Sequence, residues 1–378
     1  MNKMLNCLVN KVMCTAVVAL GAFAASAESV LTTNALYDAV NTDVSVGYQV
    51  SGLEGDEIAV VFTNDACEVI NWKVPARLEN VQFLVVGGGG GGGGGATLSL
   101  GASGGGGGGV VTGSVFSLKK NANVSITVGM GGEGGKATEY IKDEKKTKGE
   151  GKAVNGGFSE FLVNGTQYVR APGGGGDTGY NTTGGLGGSN SGSRNTTRNV
   201  HSFDNFITNL TYVVAVPFGN AGGTSNAADC TSGGGGGGAL KAGQDGTKSP
   251  RKSGDGGAGL VSSITGVEVT YGSGGGGGQS YHVKANGDAP TPGNGGEGAG
   301  RGANYYNSST TGIFFDETKN HGIDKEAHGV ANQGGGGGGG FKKKDTYTRW
   351  FDGGNGGSGI VVFRYKDPIK PGFKVIVR

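Results

Sequence analysis

Proline is scarce in this chain, at 8 of 378 residues. A collagen-like chain needs abundant proline and glycine at every third position, and an unbroken run such as Gly87–Gly95 excludes that repeat. Cysteine is scarce too, at 4 residues. Cys7 and Cys14 fall in the N-terminal segment, which leaves Cys67 and Cys230. Export permits a disulfide between those two, but their separation in sequence leaves the geometry open. No C-x-x-C pair or spaced His/Cys set suggests a zinc site. A charge of one sign is missing as well. The 32 basic residues include Lys3 and Lys11, so beyond residue 27 the remaining 30 balance the 30 acidic ones. That balance argues against nucleic acid or an anionic membrane as a partner of the whole chain.

Long apolar runs are also lacking. The best, Val12 to Ala25, is shorter than the roughly 20 residues a membrane-spanning helix needs. With Lys3 and Lys11 before it and Ala25-Ser26-Ala27 closing it, residues 1–27 read as a secretory signal peptide, and no later segment reads as a membrane span. The expected organisation is a signal peptide (1–27), an N-terminal β segment packing on a scaffold (28–80), a glycine-rich domain (81–366) and a C-terminal tail (367–378).

Catalytic motifs are absent from the pattern. Gly134-Gly135-Lys136-Ala137 lacks both the first glycine and the final Ser/Thr of a phosphate-binding loop. Asp177, Asp245 and Asp255 neighbour glycines without forming a calcium loop, and read as solvated turn aspartates. His201, His282, His321 and His328 are scattered and pair with no recognisable nucleophile motif. The expectation is a protein without catalytic residues, metal or cofactor.

What is present is glycine, 86 residues of it. Runs stand at Gly87–Gly95, Gly104–Gly109, Gly173–Gly176, Gly233–Gly238, Gly274–Gly278 and Gly334–Gly340. Strand-like segments lie between them. Val44–Val50, Ile58–Phe62, Cys67–Val74, Val81–Val86, Val110–Leu118, Asn123–Val128, Phe158–Val163, Thr166–Arg170, Ile264–Tyr271 and Ile360–Tyr365 carry the β pattern. Asn164-Gly165 marks a type I′ hairpin turn. Asn34 is a candidate cap for one short helix. Long polar insertions occupy 136–155, 177–232, 279–333 and 341–352.

Nine consecutive glycines have no side chains to bury, and ordering each costs on the order of 1–2 kcal/mol in backbone entropy. The regular conformation left to them is a threefold polyproline-II-type helix, whose N–H and C=O groups all point outward. Several runs packed together satisfy one another, because only glycine permits that approach. The predicted fold is therefore mainly β: a β-sandwich-like scaffold with an inserted bundle of polyglycine-II helices, long irregular loops and little α-helix.

The order of motifs resembles the glycine-rich domain family of secreted bacterial and phage tail proteins. The resemblance is carried by Trp72-Lys73-Val74-Pro75, Val81–Val86 running into glycines, Gly104–Gly109 followed by Val110-Val111-Thr112-Gly113, Ile126-Thr127-Val128-Gly129, Ile264-Thr265-Gly266, Val269-Thr270-Tyr271-Gly272, and the close Asn355 to Tyr365. The glycine-rich regions of receptors resembling anaplastic lymphoma kinase and of phage tail-fibre adhesins are similar. The resemblance implies a binding or structural role, with loops at the bundle end meeting the partner.

The best recognition candidates are Lys342, Lys343, Lys344, Tyr347, Arg349, Trp350 and Phe351, with Tyr305 and Tyr306 beside them in the preceding insertion. Aromatic rings next to cations suit glycan stacking or an acidic partner. The function expected from the sequence is a secreted, adhesin-like binding protein of the cell surface that takes a glycan or a surface protein. The alternative is a matrix protein self-associating through its glycine bundles.

Overall fold

The computed structural model describes residues 48–53, 56–63, 69–95, 101–137, 139–141, 146–148, 151–179, 184–194, 197, 201–225, 232–248, 250–279, 291–303, 313–316, 321–340, 342–343 and 349–368. All of them belong to one compact unit, Asp43–Arg378. The Asn34 cap lies outside the described residues, as do Cys67 and Cys230.

Eleven strands build two facing sheets. In chain order they are β1 (Tyr48–Gly52), β2 (Glu57–Phe62), β3 (Ile70–Lys73), β4 (Leu78–Val86), β5 (Val110–Leu118), β6 (Asn123–Thr127), β7 (Ser159–Val163), β8 (Thr166–Ala171), β9 (Ile207–Thr208), β10 (Val213–Phe218) and β11 (Ile360–Lys366). One sheet runs β1-β2-β11-β4-β5-β10 and the other β9-β8-β7-β6-β3. Every pairing within them is antiparallel.

An aromatic core joins the sheets. Trp72 of β3, fully buried, stacks on Phe363 of β11 at 5.5 Å. Phe161 of β7 meets Phe363 at 5.0 Å and Phe83 of β4 at 5.4 Å. These contacts are edge-on, the arrangement that ring quadrupoles favour. The sandwich is therefore held by alternate residues of β4 and β11 that face β3 and β7.

Within the described residues the expected strands are present, with three differences; residues 44–47 of Val44–Val50 and 67–68 of Cys67–Val74 lie outside those residues. β4 begins at Leu78 rather than Val81, because Leu78 is buried and pairs with Leu118. Asn80, at φ 50°, takes up the bend that follows. The expected strand Ile264–Tyr271 is instead a hairpin, Leu260–Ser262 against Val269–Tyr271. Gly266, at φ 93°, turns the chain between the two halves. Third, β10 lies inside the insertion 177–232, yet it pairs along the whole of β5 from Val213↔Val115 to Phe218↔Val110. The Asn164-Gly165 turn has positive φ at both residues, 48° and 80°, as a type I′ turn requires.

The run Gly87–Gly95 continues β4 but leaves the sheet, and it is buried throughout. Its hydrogen bonds repeat every three residues. Gly87, Gly90 and Gly93 donate to the carbonyls of Gly109, Gly106 and Ser103. Gly88, Gly91 and Gly94 donate to Gly157, Val154 and Gly151. Gly89, Gly92 and Gly95 donate to Gly357, Gly354 and Phe351. Its carbonyls accept from three further segments: Gly174 and Asp177, Gly132 and Gly135, and Gly337 and Gly340. Six neighbouring segments thus surround one run. The pattern spreads outward, since Gly104 and Gly107 donate to Gly234 and Gly237, and Gly274 and Gly277 to Gly257 and Gly254.

Two stretches of the predicted insertion 177–232 join this bundle. Residues 184–194 and 219–225 pack against Gly173–Gly176 and Gly233–Gly238, through bonds such as Gly175 to Ser189 and Gly223 to Gly235.

Candidate functional site

The bundle has two unlike ends. One is the sandwich, into which the runs feed directly: Val86 into Gly87, Gly109 into Val110, Phe218 into Gly219, Gly359 into Ile360. The hydrogen-bond register places Gly94, Ala102, Ala137, Gly151, Asp177, Ser232, Gly278, Ala303 and Gly340 at the other end. Small hairpins rise there. Glu139–Ile141 pairs with Lys146–Lys148, between Ala137 and Gly151. Thr247–Lys248 pairs with Arg251–Lys252. A four-stranded sheet, in the order Ile313–Asp316, His321–Asp324, Arg349–Phe351 and Lys342–Lys343, is built from segments on both sides of Gly340.

That small sheet brings several recognition candidates together. Lys342 lies opposite Trp350, and Lys343 opposite Arg349. His321 pairs with Trp350 from the other side in parallel register. Phe351 behaves differently. It is buried, and its carbonyl accepts the Gly95 N–H at 2.9 Å. It is part of the bundle rather than of a contact surface. Lys344, Tyr347, Tyr305 and Tyr306 lie outside the described residues.

Beneath the hairpins is a floor of buried polar side chains. Asp177 and Arg194 form an ion pair of 2.7 Å with side-chain exposures of 1% and 0%. The Asp177 carboxylate accepts the N–H groups of Ser103, at 2.9 Å, and Gly179, at 2.8 Å. Arg194 Nη2 donates to the carbonyls of Gly94, at 2.8 Å, and Gly151, at 2.9 Å. A methyl group on Gly93 would strike both partners, so the missing side chain makes room for the pair. A second cluster joins Ser232, Ser253 and Gln279, with both hydroxyls donating to Gln279 Oε1, at 3.0 and 2.9 Å.

The expectation of solvated aspartates fails for Asp177, which is buried, while Asp255 is half-buried and Asp245 exposed. All three accept a backbone N–H, Asp245 from Thr224 at 2.7 Å and Asp255 from Asn294 at 2.8 Å. Asp352 does the same for Ala137 at 2.8 Å, and Asn355 for Gly134 at 2.8 Å. Where a glycine strand has no neighbouring carbonyl, a side-chain oxygen takes its place, since a buried N–H left unpaired costs about 1–3 kcal/mol. Sequence reasoning missed this role. The signal for it is an Asp or Asn standing at the edge of a glycine run.

The ring of His201 lies away from the hairpins, against Phe203 at 4.9 Å. Neither of its buried nitrogens has a hydrogen-bond partner, and burial pushes its pKa below the usual value of 6.5. Among the described residues no group of three or more His, Cys, Asp or Glu is placed to hold a metal ion. No helix among them is long and apolar enough to cross a membrane.

Residues 63–366 match the glycine-rich domain family. The chain belongs to that family. The match begins before β3 and ends with β11, so it takes in most of the sandwich and the whole bundle. A comparison with curated proteins returns no match.

Proposed function

We propose that this chain is a non-enzymatic binding protein, exported to the cell surface, whose glycine runs are wound as polyglycine-II helices into a rigid post. The sandwich forms the base of the post. The hairpins at its far end are the recognition elements, and a glycan or a protein of another surface is the partner. One observation carries the reading: the hairpins between the runs rise together at the end opposite the sandwich.

The buried polar floor supports it. The Asp177–Arg194 pair fixes the base of the hairpins, a rigid platform for loops whose sequence is free to vary. The alternative, assembly of a matrix through the glycine runs, is less well supported. The central run is buried, and its N–H groups are already used within the molecule.

The test is binding of the purified chain to bacterial and eukaryotic cell surfaces by flow cytometry. Two variants are compared with it, one with residues 139–148 and one with residues 342–350 replaced by Gly-Ser linkers. Loss of binding in at least one variant that keeps the parental melting temperature is expected. Equal binding by both variants, or none by the parent, would overturn the proposal.

A further inference from the structure

A second site lies on the sandwich, far from the hairpins. The outer face of the six-stranded sheet carries a cleft of about 220 Å³. Gln82, Thr112, Gly113 and Arg364 form its floor, and Ser262, Ser263 and Ile264 its wall. The sheet register explains the floor. Gln82 of β4 lies opposite Ser114 of β5 on one side and Arg364 of β11 on the other, so three polar side chains form a row across neighbouring strands. Thr112 lies two residues along β5 from Ser114, on the same face.

The cleft is built before any ligand arrives. Ile264 is buried in the cluster of Leu84, Val86, Tyr271 and Val362, which anchors the wall. Arg364 is held at three points. Nε donates to Glu57 at 2.8 Å, Nη2 also meets Glu57, and Nη1 donates to the Ser263 carbonyl at 3.1 Å. A guanidinium has five N–H groups, so two remain to reach a ligand. Its charge is already balanced by Glu57. The exposed Gln82 amide offers a donor and an acceptor. The Thr112 hydroxyl donates to the Phe83 carbonyl at 3.1 Å and so faces the cleft as an acceptor. The Ser262 hydroxyl accepts the Ile264 N–H at 3.3 Å, which leaves its own proton for a ligand.

Neutral donors and acceptors, a compensated charge and a mainly polar lining describe a site for an uncharged polyhydroxyl molecule. The volume is below the roughly 300–1,000 Å³ of drug-sized ligand pockets, which suits a single sugar ring. Along β5, roughly 7 Å beyond the Ser114 row, Phe116 is 52% exposed on the same face. Its ring offers a stacking surface to the next sugar of a chain.

We propose that this cleft binds one uncharged pyranose unit of a glycan, with Phe116 receiving the adjoining unit. The site is separate from the far-end hairpins.

The test is calorimetric titration of the full chain with mono- to tetrasaccharides of glucose, mannose, galactose and N-acetylglucosamine, and with a sialylated trisaccharide. At least one neutral series is expected to bind. Gln82→Ala and Thr112→Val should each weaken it about 3- to 10-fold, the loss of one hydrogen bond, at unchanged melting temperature. Phe116→Ala should weaken the longer members and leave the monosaccharide unaffected. Exposed Gln82 carries the test even if Thr112→Val destabilises the sheet. Failure of every neutral sugar to bind, binding that Gln82→Ala leaves unchanged, or preference for the sialylated ligand would overturn the assignment. Loss of binding on replacing residues 342–350 instead would move the site to the hairpins and overturn it equally.

Discussion

A methyl group on Gly91 would meet the backbone carbonyl of Glu133, and one on Gly90 that of Gly175, both closer than 3.0 Å. Neither neighbour is the movable end of a side chain, so the bundle must spread to accept it. Gly91→Ala is expected to destabilise the protein by about 1–3 kcal/mol in urea titration, the usual cost of overpacking. The buried pair behaves in the opposite sense, since its loss leaves a void and an orphan. Arg194→Met strands the Asp177 carboxylate and Asp177→Asn strands the guanidinium. Each is expected to cost about 3–5 kcal/mol, and the double variant less than the two together. His201 makes stability depend on pH. Burial lowers its folded pKa, so the unfolded chain binds the proton more readily. Its contribution is complete above the unfolded value of 6.5 and falls away as the pH drops through the folded one. His201→Phe should flatten the melting temperature measured between pH 7 and pH 5.

At the scale of the element, glycine runs differ from strands in what they tolerate. A single glycine inserted after Gly95 leaves every pairing from Gly87 to Gly95 in place. It should change stability by less than about 0.6 kcal/mol, whereas the same insertion inside β4 moves side chains to the wrong face. Comparing the two urea midpoints tests this. The strands were legible in the sequence where β-branched and aromatic residues alternate, as in β5 and β6, and where Asn164-Gly165 forces a turn. They were illegible where tertiary pairing decides. β10 is a short apolar stretch inside a polar insertion, and only β5 beside it makes it a strand. Gly266 broke an apolar pattern that period alone reads as continuous. That Lys342, Lys343, Arg349 and Trp350 share one small sheet fits their closeness in sequence, but the burial of Phe351 was not legible. Its burial depends on Gly95, more than two hundred residues away in the chain. The Asp177–Arg194 pair was equally hidden, because nothing local distinguishes a buried aspartate after four glycines from a solvated one.

For the molecule as a whole, strand and run are one covalent piece. β4 continues into the central run, and β11 follows the segment that satisfies a third of its N–H groups. Sandwich and bundle should therefore melt in a single calorimetric transition. Hydrogen exchange is the sharper probe. The amides of Gly88 to Gly94 belong to no strand or helix by pattern, yet they should exchange as slowly as those of β4, because each is buried and bonded.

The bond from Gly95 to Phe351 also sets a schedule for the cell. The central run is synthesised well before its third line of acceptors, Gly357, Gly354 and Phe351. The bundle cannot close until that third line has followed. Until then the chain carries a stretch of incompletely bonded backbone, with no side chains to collapse around it. Under the export proposed above, that delay is expected to keep the chain threadable while it crosses.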